Sequence, residues 1–266
     1  MRIVRTIAEV RETLAPARAE GRRIGLVPTM GAFHEGHLAL IRAARSASDV
    51  LVVSLFVNPT QFDEASDLQR YPRDEAADAA LAEREGVDLL FAPSPDELYP
   101  RGFDTWVEPG GLATVLEGAA RPGHFRGVAT VCTKLFAIVA PHAAWFGQKD
   151  AQQVAVIRRV VRDLDLPLEI VAVPTVRDAD GLALSSRNRF LSSDERRAAL
   201  VLPRALEAGA AAHAAGRDAV EAAREVLASE PTVTVDYVAV AEFDVPTLVA
   251  AVRIGATRLI DNVRLA

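Results

Sequence analysis

The alternation of apolar and polar positions predicts a helix close to the start of the chain. Thr6-Ile7-Ala8-Glu9 has capping-box spacing, a hydroxyl followed three residues later by a carboxylate, and an Ala/Arg/Glu-rich stretch continues to about Glu20. Ile24–Val27 is a short apolar run ending at Pro28, and Val50–Val57 is a longer one closed by Asn58-Pro59. Asp88–Ala92, Ala143–Phe146 and Leu168–Val173 have the same character. Between these runs the apolar spacing is helical. Leu38, Ile41 and Ala44 share a face between His37 and Ala47, and helices are predicted over Asp74–Glu85, Gly127–Val139 and Ala151–Asp163. Runs that are apolar throughout, separated by helices, predict parallel strands buried on both faces.

After Pro174 the pattern changes. Thr175–Arg189 is polar and contains glycine, Ser193–Ser229 is helix-rich, and Val233–Val240 and Thr257–Asn262 have strand character. The chain therefore reads as α/β: a Rossmann-like parallel sheet with helices on both faces over residues 1–175, then a smaller α+β C-terminal domain over residues 176–266. Ligands of such sheets gather outside the carboxyl ends of the strands. Function is therefore sought in the segments that begin at Pro28, Asn58, Gly147 and Pro174.

Composition narrows the class of protein. Half of the 266 residues are hydrophobic and a quarter are charged, which excludes wholesale disorder. The formal net charge of −6, without a basic block, argues against a nonspecific nucleic-acid binder. Cys132 is the one cysteine, so an internal disulfide and a cysteine-ligated zinc site are both excluded. Its apolar surroundings predict a small buried residue rather than a nucleophile. The most apolar runs fall well short of the roughly 18–20 residues of a membrane span. MRIVRTIAEVRETL lacks the apolar block of a signal peptide, and a cytoplasmic protein is expected. Of 30 basic residues only Lys134 and Lys149 are lysine; the other 28 are arginine.

Several segments could carry chemistry. Pro28-Thr29-Met30-Gly31-Ala32-Phe33-His34-Glu35-Gly36-His37 lies between a predicted strand and a predicted helix, where open backbone N–H groups and the helix dipole would favour an anion. His34 and His37 are spaced to face one phosphate, and Gly36 would allow close approach. The same spacing is one residue short of the pair a zinc-protease helix needs. Asn58 and Gln61 offer neutral amides at a second strand end. In Trp145-Phe146-Gly147-Gln148-Lys149-Asp150-Ala151-Gln152-Gln153, an ammonium stands where a helix begins. Asp180-Gly181-Leu182-Ala183-Leu184-Ser185-Ser186-Arg187-Asn188 combines two hydroxyls with a planar guanidinium. Arg121-Pro122-Gly123-His124-Phe125-Arg126-Gly127 is a cationic turn, either part of the same electropositive cleft or merely a loop. Each segment alone also fits a solvated loop or helix cap. Their co-occurrence carries the weight.

Together they resemble the pantothenate synthetase (pantoate–β-alanine ligase) family, within the wider group of nucleotidylyltransferase-like enzymes with a His-x-Gly-His motif. The resemblance runs essentially end to end. It is strongest in PTMGAFHEGH, SLFVNPTQF, Tyr71-Pro72-Arg73, RPGHFRGVATVCTKLF, WFGQKDAQQ, VPTVRDADGLALSSRN and Asp236-Tyr237. Leu184 stands where the family's serine loop usually has Met, a change that keeps an apolar side chain of similar size. Thr60 is another position where the family often differs.

The resemblance implies an ATP-dependent ligase that makes pantothenate from pantoate and β-alanine through a pantoyl adenylate. It implies that His37, His34, Lys149 and Arg187 form the catalytic set. ATP would be bound by Met30, Gly31, Ala32, Phe33, Glu35 and Gly36 beside the histidines, and by Gly147, Gln148 and Asp150 beside Lys149. Val176 would contact adenine, and Leu184, Ser185, Ser186 and Arg187 the triphosphate as the C-terminal domain closes as a lid. Gln61, Gln153 and Met30 would hold pantoate and β-alanine. Mg²⁺ would be carried mainly by ATP phosphates, without a dedicated protein cage. A homodimer is implied, with neither nucleic acid nor membrane as partner. Two other readings stay open. One is a plain nucleotidylyltransferase, which would place cations where this chain has Gln61 and Gln153; the other is a regulator that binds nucleotide without catalysis.

Overall fold

The computed structural model describes residues 1–62 and 65–265. In chain order it begins with β1 (Arg2–Val4), α1 (Ile7–Ala19), β2 (Ile24–Thr29), α2 (Glu35–Ser46) and β3 (Val50–Leu55). Then come α3 (Ala65–Arg70), α4 (Glu75–Arg84), β4 (Leu89–Phe91), α5 (Pro95–Leu98), α6 (Glu117–Ala120) and α7 (His124–Val139). β5 (Ala143–Gly147), α8 (Ala151–Asp163) and β6 (Glu169–Val173) follow. The chain ends with α9 (Ser193–Ala199), α10 (Val201–Ala214), α11 (Ala219–Ala228), β7 (Val233–Glu242), β8 (Pro246–Ile254) and β9 (Thr257–Arg264).

The first six strands form one parallel sheet in the order β1-β4-β3-β2-β5-β6. From β2 the chain winds outward through β3 and β4, then returns to the other side of β2 for β5 and β6. The strand order therefore reverses between β2 and β5, the place where ligand crevices of doubly wound sheets open. The carboxyl ends there carry Met30 and Gly147.

Both faces of this sheet are covered, which explains the continuous apolar runs. Ile24, Leu26, Val50, Val52, Leu89, Phe91, Ala144 and Phe146 face a core shared with α1, α7 and α8. Val27, Leu51, Val53, Leu90, Ala143 and Trp145 face a second core with α2 and α4. Each fully buried Leu or Ile contributes about 2 kcal/mol of transfer free energy. The Thr6–Glu9 capping box forms as predicted at the start of α1.

Some boundaries differ from the sequence reading. β2 runs through Pro28 to Thr29, in register with Ser54 and Leu55 of β3. A missing N–H is tolerated there because the ladder to β5 has already stopped at Leu26. α7 begins at His124 rather than Gly127, with Gly123 in the left-handed region (φ +82°) preceding it. β1, α3, α5 and α6 are too short to show a period. β8, the central strand of the second sheet, begins at Pro246, and its burial pattern has almost no alternation to detect.

By contacts the chain forms two compact units: Met1–Gly147 with Gln152–Val173, and Gln148–Ala151 with Pro174–Ala266. The sequence reading placed 148–151 and 174–175 in the first domain, and the packing moves them. The Asn262 side-chain amide of β9 donates to the carbonyls of Gln148 and Lys149, both at 2.9 Å, tying that short segment into the second unit. In the second unit the antiparallel sheet β7-β8-β9 packs its β8 residues Leu248, Ala250 and Val252 against α10 and α11.

Candidate active site

In the first unit the turn after β2 is built around two left-handed residues, Gly31 (φ +85°) and Ala32 (φ +55°). It leads to His34, the N-cap of α2. A reciprocal pair of contacts closes the helix start: His34 Nδ1 accepts the Gly36 N–H at 3.2 Å, and His37 Nδ1 accepts the His34 N–H at 3.3 Å. This is a capping box made of imidazoles, in place of the usual hydroxyl and carboxylate. A neutral ring whose Nδ1 accepts must carry its proton on Nε2. The rings lie 4.2 Å apart between centroids, so two Nε2–H donors are held side by side.

The expectation of open amides at this turn is corrected by the structure. Ala32 and Phe33 donate to the two carboxylate oxygens of Asp78, at 2.8 and 2.7 Å, and Gly31 donates to Thr29 Oγ1 at 3.3 Å. His37 N–H goes to the His34 carbonyl at 2.8 Å. With His34 and Gly36 already paired, the N–H groups of Gly31, Ala32, Phe33, His34, Gly36 and His37 all serve the protein itself. Asp78, on α4, is only 3% exposed. Burial pushes its carboxyl above the ordinary value, the Phe33 and Ala32 hydrogen bonds oppose that, and Asp74 adds to it.

The turn after β3 is equally determined. Asn58 Oδ1 accepts from Thr60 N–H and Oγ1, so its amide nitrogen must face the Gly127 carbonyl and Gln61 Oε1, both at 3.1 Å. That fixes the orientation of the Gln61 amide, whose Nε2 points to Met30 Sδ at 2.9 Å. Arg121 Nη2 donates to the Gln61 carbonyl at 3.2 Å, and His124 Nδ1 lies 2.8 Å from the same oxygen. Arg121 and His124 thus brace this turn. Gly127 is required for the approach, since a Cβ there would meet the Thr60 carbonyl oxygen at 2.3 Å. Gln153 is half-buried on α8, whereas neighbouring Gln152 turns inward to the Leu112 and Val115 carbonyls.

The second unit carries the other predicted residues. Lys149 Nζ lies 3.6 Å from Asp150 Oδ1, in a turn that also holds Gln148 and leads into α8. Val176 and Leu184 come together across a hairpin, the Leu184 N–H donating to the Val176 carbonyl at 2.9 Å. Arg177 anchors that hairpin on the buried Asp261 carboxylate at 2.6 and 3.1 Å. Ser185 then caps a short helical turn containing Ser186 and Arg187 by accepting the Arg187 N–H at 3.3 Å.

Asp78, Asp261 and Asn262 are contributors that sequence reasoning missed. Asp78 had one readable signal: it lies four residues before Ala82, on the buried face of α4. Asp261 and Asn262 had none, because their partners are distant in sequence. Cys132 is buried, and burial alone pushes its thiol up to about 12, in keeping with an inert residue. Lys134 gains a role by packing: its Nζ sits 4.7 Å from the Phe103 ring centroid and 5.8 Å from that of Tyr99.

A family model described as pantoate-beta-alanine ligase matches residues 2–264. The chain is 56% identical to the pantothenate synthetase of Roseiflexus sp. (strain RS-1), covering 98% of each chain. It is similar to the crystal structure of pantoate-beta-alanine ligase (pantothenate synthetase) from Thermus thermophilus, with a TM-score of 0.94, 47% identity, and 100% and 99% of the two chains covered. It is also similar to the Francisella tularensis pantoate-beta-alanine ligase complexed with beta-gamma ATP and beta-alanine, with a TM-score of 0.85, 35% identity, and 100% and 98% covered. The motif order, the doubly wound sheet and these matches agree: the chain belongs to the pantoate–β-alanine ligase (pantothenate synthetase) family.

Proposed function

We propose that this chain condenses pantoate with β-alanine in two steps at the expense of ATP. A pantoate carboxylate oxygen attacks the α-phosphorus and the bond to pyrophosphate breaks, leaving pantoyl adenylate. The β-alanine amine then attacks the acyl carbon, loses a proton, and AMP departs. The observation that best supports this is the imidazole pair, with both Nδ1 atoms committed to backbone and both Nε2–H groups held as donors. Such donors suit negative charge building up on phosphate oxygens, and neither step needs a protein nucleophile.

In this reading His34 and His37 donate to ATP phosphates, with Met30 to Gly36 lining the nucleotide by close contact rather than through amides. Gln61 presents an amide N–H to pantoate, and Gln153 adds a second neutral amide. Neutrality matters because a lysine on the carboxylate would stabilise the ground state and blunt the nucleophile. From the second unit, Lys149, Ser185, Ser186 and Arg187 supply charge and short donors to phosphate, Asp150 approaches ribose, and Val176 contacts adenine. Mg²⁺ would accompany ATP on phosphate oxygens and water. Asp78 has both oxygens engaged by amides and is no ligand for it. A homodimer in the cytoplasm completes the reading; no helix among the described residues is long and apolar enough to cross a membrane.

The test is the amide-forming assay with single omissions. ATP and pantoate together should yield pyrophosphate and enzyme-bound acyl adenylate, and adding β-alanine should release AMP and pantothenate. Nucleotide transfer without any amide product would overturn the ligase reading in favour of a plain nucleotidylyltransferase.

A further inference from the structure

We propose that Asp78 is a positioning residue for the histidine pair: its carboxylate grips the Ala32 and Phe33 N–H groups and so fixes the turn that aims the Nε2–H donors of His34 and His37. The inference rests on the proposed role of those histidines at ATP phosphate.

Three features of the turn support it. First, both carboxylate oxygens are used, one per amide, at the short distances of charge-assisted hydrogen bonds. Its near-complete burial sets Asp78 apart from the ordinary solvated charges of a helix surface. Second, the gripped residues are strained or tight. Ala32 is a non-glycine residue in the left-handed region, and such residues persist only where their surroundings over-determine them. A Cβ on Gly31 would lie 2.8 Å from Asp78 Oδ2 and 2.7 Å from Leu55 Cδ1, so the turn is seated directly on the carboxylate. Third, the grip passes straight to the rings. Phe33 precedes His34, whose N–H holds His37 Nδ1, and the Phe33 ring packs on His37 with centroids 5.4 Å apart. A rotation of the 32–33 backbone would therefore move both imidazoles.

The brace also explains why this strand-to-helix turn relies on imidazoles for anion recognition. Glycine-bearing turns at helix starts often bind phosphate through open backbone amides. Here a protein carboxylate occupies two of the turn's amides, Ala32 and Phe33, which leaves more of the donor role to side chains whose direction then depends on the carboxylate.

Asp78→Asn is the informative variant. It keeps shape and burial but sets an NH₂ group against one backbone N–H. Ring ¹⁵N spectra of the folded wild-type protein should show His34 and His37 in the Nε2–H form. In folded Asp78→Asn a mixture of tautomers should appear, and the KM for ATP in pyrophosphate formation should rise roughly 10–100-fold. The KM for pantoate should rise less than that for ATP, because the Gln61 turn has its own braces in Asn58, Arg121 and His124 and meets the histidine turn through Met30. Wild-type tautomers in the folded variant would overturn the proposal, and so would altered tautomers with an unchanged KM for ATP in an active enzyme. A wild-type protein that forms no pyrophosphate would instead defeat the ligase reading, while the ring spectra would still decide whether Asp78 braces the turn. Should Asp78→Asn not fold, Asp78→Glu keeps the charge and shifts both acceptor oxygens by one methylene. Altered tautomers there support the brace, and unaltered ones overturn it.

Discussion

The histidine loop of the first unit and the serine loop of the second both lead into helical turns, yet they are held in opposite ways. The histidine loop is gripped from another element, by Asp78 on α4, 46 and 45 positions from the amides it binds. The serine turn itself is closed by its neighbours: Ser185 caps Arg187 and Asn188 Nδ2 donates to the Ala183 carbonyl at 3.0 Å, while the hairpin that leads into it, where Leu184 pairs with Val176, is pinned from β9 through Arg177 and Asp261. A loop over-determined from a distance holds its donors in one geometry before substrate arrives, which is what alignment-driven catalysis requires. A turn closed by its neighbours fixes its own backbone, and the distant anchor enters one hairpin earlier, at Arg177. The difference predicts that damage spreads in the first loop and stays local in the second.

The largest effects should come from His37→Ala and Lys149→Ala, each lowering the adenylate-forming rate by about 100- to 1,000-fold. The two should part company in stability. His37→Ala also leaves the His34 N–H without its acceptor and should lower Tm by several degrees, at about 1 kcal/mol or more for a lost cap contact. Lys149 has one ion pair at 3.6 Å, so its removal should leave Tm within about 1–2 °C of wild type. Equal melting shifts in calorimetry would break the comparison.

An intermediate effect is expected at the anchor of the second unit. Arg177→Ala strips the partner from the buried Asp261 carboxylate and should cost about 3 kcal/mol. Amide hydrogen exchange should show lost protection in β7 to β9, with β2, β3 and β5 keeping theirs. Uniform loss over both units would show that they do not respond separately. The smallest effect concerns Cys132. With the thiol buried and pushed up to about 12, native protein at pH 8 should label with a thiol reagent only as fast as it unfolds. Rapid labelling would show that α7 opens locally, and would weaken the case for a rigid first unit.

Much of this was legible in the chain itself, for stated reasons. β3, β4 and β5 were visible as apolar runs because strands covered on both faces leave few polar positions, Ser54 in β3 being the exception. The His34–His37 spacing and the Thr6–Glu9 box were visible because both are contacts within one turn. The roles of Arg121, His124 and Lys134 were not, since each is defined by what packs against it: the Gln61 carbonyl in two cases, the Phe103 and Tyr99 rings in the third. β8 was missed because its burial has no period-2 alternation and it opens on a proline, an ordinary break signal.

The sequence by itself determined the doubly wound architecture, the order of the motifs and the chemical types at the site, because these depend on residue identity and on spacing along one element. Only the tertiary structure decided which donors remain for a ligand. In the turn that reads as a nest of open amides, the N–H groups of Gly31, Ala32, Phe33, His34 and Gly36 are bound by Asp78, Thr29 and the histidines themselves. A hydrogen-bond donor can serve the fold or the substrate, and which one it serves depends on acceptors brought from elsewhere in the chain.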